Sequence, residues 1–206
     1  MSRPDERSIS SELLLQGSIL GGMVAIFWVV EILDLVLFQG NLDRFGIMPH
    51  TLIGLRGIIF APFLHGGLGH LIANTVPFLV LGWLVMWQRT SDFFIVTPIV
   101  MLVGGLGTWL LGGNAVHIGA SGLIYGYFGF LLLRGFYERS LGSIILSLVV
   151  FFLYGSIIWG VLPSDPRISW QGHLFGFVGG VLAARFIGKR SRSQRQNEQW
   201  KNDLGL

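Results

Sequence analysis

Two short stretches of this sequence hold the makings of acyl-transfer chemistry: Ser121 in IGASGLIYG and His173 in QGHLFGFVGG. Ser121 opens an apolar run, with glycine on both sides of Ala-Ser. At a helix N-terminus the backbone N–H groups are unpaired and point at incoming negative charge. The hydroxyl of Ser121 could therefore act as a nucleophile while its own N–H serves an oxyanion, provided that a base takes the proton. His173 is the natural base, because a neutral imidazole accepts a proton from a hydroxyl within hydrogen-bond reach. Each residue also has a plainer reading. A serine at a helix start is an ordinary N-cap, and a histidine within a helix can be satisfied by a neighbouring carbonyl.

Several chemistries are excluded. A G-x-S-x-G nucleophile elbow needs glycine two residues after the serine, and Leu123 stands there, so a soluble α/β-hydrolase does not match. The sequence has no cysteine, which rules out thiol catalysis and disulfides. The five histidines make a poor metal set: HGGLGH lacks the i, i+4 pairing of HExxH and has no acidic partner. Neither a metal nor a cofactor is expected. No acidic residue stands at the depth of His173 except Glu31 and Asp34, so the residues predict a Ser–His dyad and not a triad.

The elements that must position these groups are hydrophobic. Of 206 residues 52% are hydrophobic and 12% charged, and the mean hydropathy is +0.66, as in an integral membrane protein. Six apolar runs are long enough to matter: Gly17 to Phe38, Leu68 to Trp87, Phe93 to Leu111, Ser121 to Leu133, Leu141 to Val161, and Gln171 to Gly188. The fourth and sixth are short. The first is too long and too acidic in its approach for a signal peptide and is expected to stay as an anchor. At a rise of about 1.5 Å per residue, Ser121 lies roughly 20 Å above the Arg134 end of its run, His173 roughly 24 Å above Lys189, and Asn74 roughly 21 Å above Gln88. Three runs thus bring Ser, His and Asn to one level, with His70 a turn higher.

Basic residues near span ends stay on the cytoplasmic side. Placing both termini there puts Arg3, Arg7, Arg89, Arg134, Arg139 and the cluster from Lys189 to Lys201 inside, and leaves Arg44, Arg56 and Arg167 outside. The sequence pI near 9.7 then reports topology and attraction to anionic lipid, not nucleic-acid binding. The expected organisation is a cytoplasmic N-terminal segment over 1–16, a six-helix domain over 17–188 and a basic cytoplasmic tail over 189–206. Between the first two runs a long external loop, about Gln39 to Gly67, carries apolar stretches too short to span and is expected to lie in the outer interface. Gly172, Gly176 and Gly180 have GxxxG spacing, which lets helix backbones approach closely. Glu31 and Asp34 share one face of the first run and are expected to bond neighbouring helices or the loop. His65 and His117 are expected near the mouth of the site, and His50 in the loop.

GASG, GHLFGFVGG and the earlier HGGLGHLIAN together resemble the rhomboid intramembrane serine proteases, over nearly the whole chain. The ordered set His-x3-Asn, Gly-x-Ser-Gly and His-x2-Gly-x3-Gly, on the second, fourth and sixth runs, carries the resemblance. It implies an all-α membrane bundle that cleaves peptide bonds in or near the transmembrane segments of substrate proteins in the lipid bilayer, most simply in a bacterial cytoplasmic membrane. By resemblance Ser121 is the nucleophile and His173 the base. His70 and Asn74 stabilise the oxyanion, Gly119 belongs to the serine loop, and Tyr125 packs on the catalytic imidazole. Gly172 departs from the family, which often has alanine there. Two rivals carry less. Non-catalytic rhomboid-like proteins would be expected to lack Ser or His, and a transporter should show two related halves, which are not seen here.

Overall fold

The computed structural model describes residues 4–163, 165 and 168–203; Arg3 and Arg167 lie outside them, and for Arg7 and Arg195 only the backbone is described. The regular structure of the described residues is helical apart from one isolated bridge. Helix α1 (Pro4–Leu33) runs on into a π-helical turn, Asp34–Phe38. Residues 39–67 then fold as short pieces: 3-10 turns Asn41–Phe45, Leu52–Arg56 and Ala61–Phe63, and the four-residue α2 (Gly57–Phe60). After these come α3 (Leu68–Met86), α4 (Thr90–Leu111), α5 (Ser121–Glu138), α6 (Leu141–Tyr154) and α7 (Trp170–Asp203). Extended pairing among the described residues amounts to one isolated antiparallel bridge, Ile47 with His117.

Among the described residues four stretches are long and apolar enough to cross a membrane: Ile9–Phe38, Leu68–Met86, Thr90–Leu111 and Leu141–Val161. They coincide with the first, second, third and fifth apolar runs. Where the sequence shows a short fourth run ending at Leu133, α5 continues to Glu138. The extension is possible because its charges are internally paired: Arg134 meets Glu138 at 2.9 Å and Asp92 of α4 at 2.8 Å. A buried charge is tolerated when it is paired and hydrogen-bonded. The sixth run likewise does not stop at Gly188, since α7 continues as helix through the basic stretch to Asp203.

Helix α5 is the axis of the core, burying Leu123, Tyr127, Phe128, Phe130 and Leu131. Its seam with α7 is made of glycine. A Cβ on Gly176 would run into the Gly122 carbonyl, and one on Gly180 into the Gly126 carbonyl. In lipid no hydrophobic force drives helices together, so small residues that allow backbone contact supply the packing. This seam fixes the start of α5 against the start of α7, the two places where Ser121 and His173 stand.

Candidate active site

The loop from α4 to α5 is held against the segment that precedes α3. Ile47 and His117 exchange two backbone hydrogen bonds of 2.9 Å, and the Gly119 N–H donates to the Ala61 carbonyl at 2.9 Å. At Gly119 the backbone takes φ +109, a conformation that L side chains rarely adopt. A Cβ there would stand 2.6 Å from His70 Cε1 and 2.7 Å from its Nε2. The imidazole of His70 therefore lies directly over Gly119, two residues before Ser121. The Gly66 N–H donates to His70 Nδ1 at 3.3 Å. A ring nitrogen that accepts is unprotonated, so Nε2 carries the hydrogen. Asn74, one turn further along α3, donates one amide hydrogen to the His70 carbonyl at 2.9 Å and keeps the second for a ligand.

Ser121 begins α5, and its Oγ lies 2.9 Å from His173 Nε2 in the first turns of α7. The other ring nitrogen, Nδ1, lies 2.8 Å from the Gly160 carbonyl. A carbonyl can only accept, so Nδ1 holds the proton and Nε2 presents a lone pair to the serine hydroxyl. Tyr125, one turn after Ser121, stacks on the His173 ring at 4.0 Å with 8° between planes. A Cβ on Gly160 would strike the Tyr125 hydroxyl. The imidazole is thus held by a carbonyl at one edge and an aromatic face across its plane.

Ser121, His173, His70 and Asn74 line one open cavity of about 910 Å³, together with Asn114, His117 and Ser169. Of the six site residues expected from the sequence these first four line the cavity, while Gly119 lies against the His70 ring and Tyr125 against the His173 ring. A smaller space of about 50 Å³ lies behind Ser121 and Gly122, between α4 and the segment before α3.

Some expectations are corrected. His65 does not line the mouth; it is 1% exposed, packed 5.6 Å from the Phe27 ring and 5.2 Å from the His70 ring, with neither nitrogen hydrogen-bonded. Burial, and next the neighbouring His70, push its pKa down to about 4. His117 does line the cavity, with Nδ1 2.7 Å from Ser169 Oγ, and burial lowers its pKa too. His50 is exposed in the loop but binds the Leu110 carbonyl at 2.9 Å, tying the loop to the end of α4. Glu31 faces the backbone N–H groups of Gly67 and His65. Asp34 accepts the Leu42 N–H at 2.9 Å. Both therefore serve the segment before α3, as expected, and the group that orients His173 is Gly160. Sequence reasoning missed Gly160 and Gly66, because a backbone group has no signature of its own. It also missed Ser169, whose signal was present: a serine directly ahead of a helix.

The Rhomboid domain family model matches residues 54–190. The chain is 45% identical over 181 residues to an uncharacterized protein of Mycobacterium tuberculosis, covering 84% of this chain and 75% of that one. A second uncharacterized protein, from Mycobacterium leprae, is 42% identical over 181 residues, covering 84% and 71%. YdcA of Bacillus subtilis, described as a candidate rhomboid protease, is 31% identical over 126 residues, 58% of this chain and 60% of its own. A family match across most of the chain, spanning both halves of the Ser121–His173 pair, places this integral membrane protein in the rhomboid family.

Proposed function

We propose that this protein is an intramembrane serine endopeptidase that hydrolyses peptide bonds in or near the transmembrane segments of other membrane proteins. The observation that carries the reading is the 2.9 Å hydrogen bond from Ser121 Oγ to an imidazole whose other nitrogen is fixed by a carbonyl. As the Ser121 oxygen bonds to the substrate carbonyl carbon, its proton passes to His173 Nε2. The charge that develops on the carbonyl oxygen meets the Ser121 N–H, the His70 Nε2–H and the free Asn74 amide hydrogen. Collapse breaks the C–N bond, and His173 returns the proton to the leaving amine. Water then attacks the acyl-serine, again giving its proton to His173, and the acid product leaves with Ser121 restored. The cycle closes with protein side chains and water, so no metal or cofactor is needed.

In this reading α1 and α3 to α7 all cross the bilayer, with both termini on the cytoplasmic side and the cavity open to the outside. The excess of Lys and Arg at the Arg134 and Lys189 ends supports that orientation. The mycobacterial and Bacillus relatives point to a bacterial plasma membrane. A substrate helix must unwind locally before cleavage, because an intact helix keeps its carbonyls hydrogen-bonded.

Reconstitution in liposomes with a single-span reporter tests the reading. Cleavage is expected from wild type, to be lost in Ser121→Ala and His173→Ala, and to be indifferent to a chelator. Ser121→Ala that cuts as fast as wild type would sink it.

A further inference from the structure

The hydrogen bond between Ser121 and His173 has a companion. His117 Nδ1 lies 2.7 Å from Ser169 Oγ, and in both pairs the partners are 52 residues apart. His117 stands four residues ahead of Ser121 on the loop into α5, and Ser169 four residues ahead of His173 on the entry to α7. Two Ser–His contacts therefore join the same two chain segments in register, with the residue types exchanged between sides.

The companion pair is anchored at both ends. The backbone of His117 is bridged to Ile47 on the segment before α3. The Ser169 carbonyl accepts the His173 N–H at 3.1 Å, and the Ser169 hydroxyl oxygen accepts the Gly172 N–H at 3.3 Å. A hydroxyl has one proton and two lone pairs, so the Ser169 hydroxyl can accept the Gly172 N–H and still bond His117 Nδ1, as donor or as second acceptor according to the His117 tautomer. Nε2 of His117 is buried without a hydrogen-bond partner among the described residues, so the bond to Ser169 is the one that holds the ring. Gly172 leaves space for the arrangement: a Cβ there would stand 2.8 Å from Ser169 Oγ. The glycine seam sets the distance between the α5 and α7 backbones, and the bond from His117 to Ser169 adds a side-chain tie between the glycine-rich loop ahead of Ser121, with Gly112, Gly113 and Gly119, and the entry to α7.

We infer that His117 and Ser169 are positioning residues, whose hydrogen bond holds the nucleophile's loop and the base's helix at the spacing that lets Ser121 meet His173. Neither touches the reacting atoms. The inference rests on the reading of Ser121 and His173 as nucleophile and base. A misplacement of about 1 Å can cost roughly a hundredfold in rate, and it acts on the chemical step more than on substrate binding.

The test compares full-length wild type, His117→Ala, Ser169→Ala and the double variant in liposomes with the single-span reporter. Each single variant is expected to lower kcat roughly tenfold to a hundredfold with KM within about threefold. The double variant should be no slower than the singles, since one interaction is removed only once. Ser169→Thr keeps the hydroxyl, and His117→Asn places an amide where Nδ1 was; both should recover most of the rate. His117→Gln reaches the Nε2 position instead and should not. Gly172→Ala, which crowds the Ser169 hydroxyl, should behave like Ser169→Ala. A His117→Asn enzyme as slow as His117→Ala, or a Ser169→Ala enzyme with wild-type kcat, overturns the inference. An activity-independent readout separates it from the protease reading: the ring nitrogen NMR signals of His173 should change in Ser169→Ala. If they do not, the positioning role is wrong even in an active protease. If they do while wild type fails to cleave, the pairing stands and the protease reading falls.

Discussion

Replacing Gly119 with alanine should separate catalysis from folding. The new methyl would stand 2.6 Å from His70 Cε1 and 2.7 Å from Nε2, whereas non-bonded carbon atoms rest at about 3.5–4.0 Å. The His70 ring must therefore retreat by about 1 Å. An oxyanion donor works at about 2.7–3.1 Å, so a retreat of that size removes it, and losing one donor costs about 3–4 kcal/mol, or roughly 10²–10³ in kcat. Alanine at φ +109 adds strain of about 1–3 kcal/mol to the folded state. Initial rates of reporter cleavage in liposomes should show kcat reduced at least about a hundredfold with KM little changed, while thermal unfolding in detergent shows a protein that is folded but less stable. A folded Gly119→Ala enzyme with kcat within about twofold of wild type would refute the placing of His70 as a donor over this glycine.

Stability should fall in acid partly through His65. The folded state takes up its proton near pH 4 and the unfolded chain near 6.5, so its contribution is fully present above about 6.5 and is lost as the pH falls towards 4, by at most about 3 kcal/mol. His65→Leu should flatten that part of a stability–pH curve, and an unchanged slope would contradict the burial described for His65. Asp43 works in the opposite sense over a similar range: burial, then the charges of Asp34 and Glu31, raise its carboxyl to about 6, so stability falls as pH rises from about 3.8 towards 6. Asp43→Asn should remove that loss. At the other end of the bundle, Arg134→Met removes the buried cation that pairs with Asp92 at 2.8 Å and donates to Glu138 at 2.9 Å, leaving Asp92 with Arg89, at 3.4 Å, and Glu138 with the Ser143 hydroxyl. Chemical unfolding in detergent should show a loss of about 3–5 kcal/mol, and a change below about 1 kcal/mol would show the network to be solvated.

Much of the site was legible because the membrane imposes a ruler. Counting helical rise from Arg134, Lys189 and Gln88 brings Ser121, His173 and Asn74 to one level, and the structure joins Ser121 to His173 directly. The small-residue spacing in α7 also showed where two backbones meet, and Gly176 and Gly180 do face the carbonyls of α5. What could not be read has physical causes. His65 looked like a mouth residue because a polar side chain beside a span suggests water, yet the short helical turns before α3 fold over it against Phe27. The end of α5 was misjudged because Arg134 reads as a boundary until its partners, distant in sequence, are known. Gly172 read only as a departure from the family's alanine, whereas a methyl there would stand 2.8 Å from Ser169 Oγ. The orienting partner of His173 is a carbonyl, and any residue could have supplied it.

The central claim is that Ser121 is a nucleophile activated by His173, and covalent labelling tests it most directly. A fluorophosphonate probe added to the membrane-reconstituted protein should add one adduct, located on the peptide containing Ser121. The adduct should disappear in Ser121→Ala and form far more slowly in His173→Ala. Labelling that persists in Ser121→Ala, or that proceeds at the wild-type rate without His173, would contradict the account.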